Sequence, residues 1–181
     1  PFELLVATIL SAQCTDERVN MVTPHLFKKY PNPKAMAKAP VEDIEELIRS
    51  TGFFKNKAKN LKACATALVE KHKGVVPQEL EALVELAGVG RKTANVVLGN
   101  AYGIPSGIVV DTHVTRLANR LGWVKSDNAV LIERQLSKLV PQEDWIMLSH
   151  YLISHGRAVC KARKPACSHC FLEETCPKKG V

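Results

Sequence analysis

The sequence predicts an all-α protein of about ten short helices. Three observations carry that reading: apolar residues recur at three- and four-residue spacing almost throughout, strand-like alternation is nearly absent, and Pro and Gly interrupt the periodic segments at short intervals. Leu5, Ile9 and Leu10 mark a first helix, and Ile44, Leu47 and Ile48 mark another. Further helical patterns cover 57–72, 79–86, 92–102, 112–121, 129–140 and 144–154. Breaks fall at Pro31, Pro33, Pro40, Gly52, Pro77, Gly88, Gly103, Pro105 and Pro141. No repeat, low-complexity tract or long linker is visible. The best domain boundary is 103–110, where Gly103, Pro105 and Gly107 join a near-neutral half to a basic one. Residues 1–90 carry 12 basic and 11 acidic side chains, whereas 91–181 carry 13 and 7.

With 181 residues, 46% hydrophobic and 24% charged, the composition is that of a folded globular chain and excludes disorder. The apolar run 4–7, even extended to Leu10, falls far short of the roughly 20 residues of a membrane span. The chain opens with Pro1, Phe2 and Glu3 in place of the basic start of a secretory leader, so it reads as cytoplasmic. A helical pattern is already running there, as expected of a fragment lacking its natural N-terminus. The net charge of +7 suits a polyanion, since neutralising each phosphate releases condensed counterions. Charge alone fits an ordinary basic surface equally well.

The six cysteines divide by position. Cys160, Cys167, Cys170 and Cys176 fall within 17 residues as C-x6-C-x2-C-x5-C, while Cys14 and Cys64 lie far upstream in helical patterns, where they read as buried small hydrophobes. A cytoplasmic chain of this size needs no disulfides, and four thiolates in one short loop can surround a metal centre, either zinc or an iron–sulfur cluster. All-Cys zinc sites favour two close C-x2-4-C pairs, and only Cys167 and Cys170 form one here. The spacing therefore leans towards a cubane cluster. Lys161, Arg163 and Lys164 crowd the first loop between these cysteines and offer a positive surface to phosphates.

The segment 86–93 superficially resembles a phosphate-binding loop, but Arg91 separates Gly90 from Lys92 and the preceding segment has a helical period. Helix, glycine hairpin, helix fits better. There Gly88 and Gly90 are expected at positive φ, letting backbone N–H groups at the next helix N-terminus meet a phosphate. Lys92 falls in the first turn of that helix beside Arg91, where the dipole and the guanidinium are expected to disfavour its ammonium form and so make the amine a usable nucleophile. Asp111 follows the apolar run 108–110 and precedes a helix, an N-cap position that holds a carboxylate in a fixed direction.

In combination these motifs resemble the endonuclease III family of DNA glycosylases. Residues 86–95 are similar to its helix-hairpin-helix, 110–113 to its loop ending in the catalytic aspartate, and 160–176 to its 4Fe-4S spacing. The resemblance covers essentially the whole chain. It implies a six-helix barrel domain over 1–104, with the helix-hairpin-helix at about 79–102, and a helical 4Fe-4S domain over 105–181 lacking its N-terminal helix. A DNA-binding cleft between the two is implied as well. It makes Lys92 and Asp111 the catalytic residues and Cys160, Cys167, Cys170 and Cys176 the ligands of one 4Fe-4S cluster.

The resemblance extends to the DNA contacts. Ser11, Ala12, Gln13, Cys14, Thr15 and Asp16 resemble the family's Ser-Ala-Gln-x-Thr-Asp, which places Gln13 in the space left by an extruded base and Asp16 at the pocket wall, with Thr112 and His113 also at the pocket. Gly88, Gly90, Arg91, Lys161, Arg163 and Lys164 would meet DNA, and Phe53, after Gly52, would be the wedge. The implied activity is removal of oxidised pyrimidines such as thymine glycol from double-stranded DNA, with cleavage at abasic sites, by a monomer in a bacterial or archaeal cytoplasm. Two departures stand out: Ala87 replaces the hairpin's usual proline, and Phe53 stands where an aliphatic wedge is commoner. Related thymine- or adenine-mismatch glycosylases commonly lack the lysine that Lys92 supplies, and a non-catalytic iron–sulfur DNA-binding module would need neither Lys92 nor Asp111. A base-stacking single-strand binder would want more aromatics.

Overall fold

A computed structural model describes residues 1–181. It holds ten α-helices and no strand, in two compact units, Pro1–Ile104 and Pro105–Val181. None of the helices is long and apolar enough to cross a membrane.

The first unit contains α1 (Phe2–Leu10), α2 (Asp16–Lys29), α3 (Pro33–Lys38), α4 (Val41–Ile48), α5 (Phe54–His72), α6 (Leu80–Val84) and α7 (Arg91–Tyr102). Local chemistry sets several boundaries. Thr15 caps α2 by accepting a hydrogen bond from the Arg18 N–H, and Asp16 and Glu17 open that helix while Lys28 and Lys29 close it, each complementing the dipole. Asn32 caps α3, and Pro33 occupies the first helical position, where its missing N–H costs nothing. The longest helix, α5, packs against α1, α3 and α4, while α7 packs against α1 and α6. Their shared core includes Leu5, Leu10, Met36, Ile44, Leu61 and Leu98, all fully buried.

The second unit contains α8 (Thr112–Arg120), α9 (Ala129–Leu139) and α10 (Trp145–Ala158), built around Ile108, Val114, Leu117, Ile132 and Leu136. Helix α10 continues past the Ser154 at which its sequence pattern fades. At Gly156 a Cβ would lie 2.9 Å from His113 Nδ1 and 3.0 Å from Arg116 Nη2, so the glycine lets α10 approach α8 closely. The tail beyond α10 is tied back by Arg120, the buried last residue of α8, which donates to the carbonyls of Lys161 (2.8 Å) and Ala162 (3.0 Å). Its own carbonyl accepts from the Lys179 N–H at 3.1 Å.

Helices α2 and α4 are joined at the surface by Lys29 Nζ and Asp43 Oδ2, 2.7 Å apart, and the Tyr30 hydroxyl donates to the same oxygen at 3.1 Å. The Lys29 hydrogen bond, then that of Tyr30, holds the Asp43 carboxyl below the usual carboxylate range, and Asp43 raises the Lys29 amine. A depressed carboxylate contributes stability in full above its unfolded value and loses it as pH falls through the folded value; a raised lysine contributes below its unfolded value and loses it as pH rises through the folded one. Asp43→Asn is thus expected to lower the melting temperature slightly at neutral pH and to leave it unchanged in strong acid, as thermal unfolding at the two pH values will read.

Candidate functional site

The hairpin between α6 and α7 is fixed by a single glycine conformation. Gly88 has φ +77°, and a Cβ on it would meet Asn60 Cβ of α5 at 3.0 Å, so both backbone and space require glycine. Gly90 differs from expectation: its φ is −90° and ψ 172°, an extended N-cap of α7, not a positive-φ turn. The reason is that an N-cap residue leaves the hairpin in extended backbone before the helix begins. Glycine at this cap supplies no side-chain acceptor to the first-turn N–H groups of α7, and its missing Cβ leaves open space, so an incoming anion can reach them. Arg91 and Lys92 are the first two residues of α7, both exposed.

Lys92 opens onto a cavity of ≈590 Å³ in the first unit, lined also by Ser11, Gln13, Asp16, Asn20 and Thr93. Ser11, Ala12, Gln13 and Asp16 are thus brought to one concavity with Lys92 through the packing of α1 on α7. Asn20, which belongs to none of the sequence motifs, joins them because it lies one helical turn after Asp16. Gln13 is exposed in the α1–α2 connection with φ +52°. Phe53, the N-cap of α5, has φ +48° and is 67% exposed, following Gly52 at φ +68°. Left-handed backbone is uncommon for such side chains and persists only where the surroundings hold it.

In the second unit, Asp111 is the N-cap of α8, and its Oδ1 accepts from the Val114 N–H at 2.8 Å. Thr112 is exposed, whereas His113 is half-buried, with its Nδ1 3.2 Å from Arg116 Nη2. Arg116 in turn donates to the carbonyls of Gly156 (3.0 Å) and Cys160 (2.9 Å).

Cys160, Cys167, Cys170 and Cys176 line one cavity of ≈30 Å³ with Leu117 and Val159 on its apolar side. Arg120 Nη1 donates to Cys160 Sγ at 3.3 Å, and the Lys178 N–H donates to Cys176 Sγ at 3.4 Å. His155 Nε2 lies 3.5 Å from Cys170 Sγ. Lys161, Arg163 and Lys164 are exposed on the loop from Cys160 to Cys167. Of the remaining thiols, Cys64 is buried in α5, and burial pushes it up to about 12. Cys14 corrects the expectation of a buried helical cysteine: it is half-buried in the α1–α2 connection, because the Thr15 cap starts α2 only at Asp16.

The two hairpin glycines should respond differently to alanine. Gly88→Ala is expected to cost about 1 kcal/mol or more, from the positive φ and the Asn60 contact. Gly90→Ala should leave unfolding nearly unchanged while weakening binding to duplex DNA. Denaturant unfolding and a duplex-binding titration on both variants separate these effects.

The family profile described as "HhH-GPD superfamily base excision DNA repair protein" matches residues 6–142. An endonuclease III of Synechocystis sp. is 58% identical over 98% of this chain and 81% of its own length. The fold is also similar to that of a non-covalent endonuclease III–DNA complex, with TM-score 0.92, 46% identity and coverage of 98% of this chain and 83% of that one. A trapped endonuclease III–DNA covalent intermediate gives TM-score 0.91 and 47% identity, covering 98% and 84%. With a superfamily match over most of its length and a near-full-length relative at this identity, the chain belongs to the endonuclease III family of HhH-GPD base excision DNA repair proteins.

Proposed function

We propose that this protein removes oxidised pyrimidines such as thymine glycol from double-stranded DNA and then cleaves the strand at the resulting abasic site. The observation that carries the reading is the cavity on which Lys92, Gln13 and Asp16 converge, beside the uncapped N-terminus of α7. A glycosylase of this kind must extrude its target base, because the reacting carbon is inaccessible in a stacked duplex. In this reading Gly88, Gly90 and Arg91 hold backbone phosphates, the wedge Phe53 enters the stack, and Gln13 takes the place of the extruded base. Phosphate contacts from Lys161, Arg163 and Lys164 add sequence-independent affinity.

Chemistry begins at the amine of Lys92. Its nitrogen forms a bond to C1′ of the damaged nucleotide as the glycosidic bond breaks, and the base leaves with that bond's electron pair. Asp111 takes the proton from the substituted amine and steadies the positive charge that develops on the sugar. Asp111 then returns that proton to O4′ as the C1′–O4′ bond breaks and the sugar ring opens, which gives a protonated Schiff base. Loss of a C2′ proton then expels the 3′ phosphate oxygen, so the strand breaks on the 3′ side of the lesion. Asp16, Thr112 and His113 are assigned to the surroundings of the base.

Cys160, Cys167, Cys170 and Cys176 are read as the ligands of one 4Fe-4S cluster. Supporting this, the four thiols line one cavity, and in their C-x6-C-x2-C-x5-C spacing only Cys167 and Cys170 form the close pair that all-Cys zinc sites favour twice. When bound, such a cluster cross-links four points of the tail around one centre.

Incubation with an abasic-site duplex followed by borohydride is expected to trap a covalent adduct that Lys92→Ala abolishes. An undiminished adduct would overturn the assignment of Lys92. Asp111→Asn should lower base removal by roughly 100- to 10,000-fold. Analysis of the purified protein should find iron and acid-labile sulfide in equal amounts, and Cys167→Ala should lose both; one zinc per chain without iron would refute the cluster.

A further inference from the structure

We propose that Lys57 is a positioning residue for base extrusion, holding the loops of Gln13 and Phe53 in register with each other through one buried ammonium. The proposal rests on the reading that Gln13 and Phe53 enter the duplex.

Lys57 lies one turn into α5 and is only 5% exposed. Burying an ammonium is costly unless its donors are satisfied, and here its hydrogen-bond partners are two main-chain carbonyls. Nζ donates at 2.8 Å to Leu10 and at 2.8 Å to Thr51. These acceptors have a common character. Leu10 is the last residue of α1, and Thr51 is the last residue of the 3-10 turn Arg49–Thr51, so both carbonyls sit at helix ends that lack partners within their own helices. Gln13 follows Leu10 by three residues and Phe53 follows Thr51 by two. The Lys57 N–H completes the link by donating to the Phe53 carbonyl at 3.1 Å.

Both tethered segments lead to exposed side chains on left-handed backbone, φ +52° at Gln13 and φ +48° at Phe53. Such a conformation needs surroundings that over-determine it. One buried cation bonded to the root of each loop contributes that constraint to both.

The test compares two single-turnover rates in the full chain: removal of thymine glycol from a duplex, which requires a base to be extruded, and cleavage of a preformed abasic site, which does not. Lys57→Met keeps the length and removes charge and donors. It is expected to slow base removal about tenfold or more while changing abasic-site cleavage far less, and to weaken the fluorescence rise of 2-aminopurine placed opposite the lesion. Gln13→Ala and Phe53→Ala serve as references. If they leave the ratio of the two rates unchanged, the reading of Gln13 and Phe53 fails, and the proposal with it. If they lower the ratio and Lys57→Met does not, the positioning role alone is overturned, whether both rates fall equally or neither falls. Should Lys57→Met fail to fold, Lys57→Gln, which retains an amide donor, is scored by the same ratio; if neither folds, the lysine is structural only and the proposal falls.

Discussion

Every helix leaves backbone N–H groups unpaired at one end and carbonyls at the other, and a chain folded as ten short helices has many such ends to satisfy. That constraint organises the molecule. Asp111 caps α8, Phe53 stands at the cap of α5, Asp16 begins α2, and Arg91 and Lys92 begin α7. Gln13 lies just beyond the end of α1, and Cys160 just beyond the end of α10. The candidate residues occupy places where the backbone already seeks partners and where the chain changes direction. An anion, a carboxylate or a buried cation can each complete such an end.

Helix α5 illustrates how one element serves several of these ends. Its N-cap presents Phe53, its first turn sends Lys57 to α1 and to the 3-10 turn, and Asn60 abuts Gly88 of the hairpin. Further along, Leu61, Cys64, Ala65 and Leu68 are buried in the core of the first unit. Full burial of a leucine side chain such as Leu61 or Leu68 contributes about 1.5–3 kcal/mol. The apolar surface of α5 thus anchors a helix whose polar residues hold three connecting segments. Its placement by packing sets where those segments lie.

What was legible in the sequence was local. The Asp111 cap, the first-turn position of Lys92 and the spacing of four cysteines each need only a few consecutive residues to be recognised. Gly90 was less legible, since a Gly-x-Gly pair allows several turn geometries and only the start of α7 selects the extended one. Lys57 was illegible because a lysine between Lys55 and Lys59 in a polar helix start reads as solvated by residue type; its burial depends on α1 and the 3-10 turn arriving beside it. The cavity shared by Lys92 with Gln13, Asp16 and Asn20 likewise arises from α1 packing on α7, a contact between segments some eighty residues apart. Periodicity identifies the helices but not their partners.

The half-buried position of Cys14 gives the protein an uneven thiol chemistry. Cys64 lies within the core with its thiol pushed up to about 12, a site closed to electrophiles. The four cysteines of the tail share a cavity and are assigned as ligands. Cys14 stands apart from both sets, next to Gln13, on the connection that the proposed function assigns to the duplex. A fluorophore attached there would act as an optical reporter of that connection, and an oxidant reaching the protein from solvent would find in it a thiol that is neither sealed in the core nor assigned to a metal.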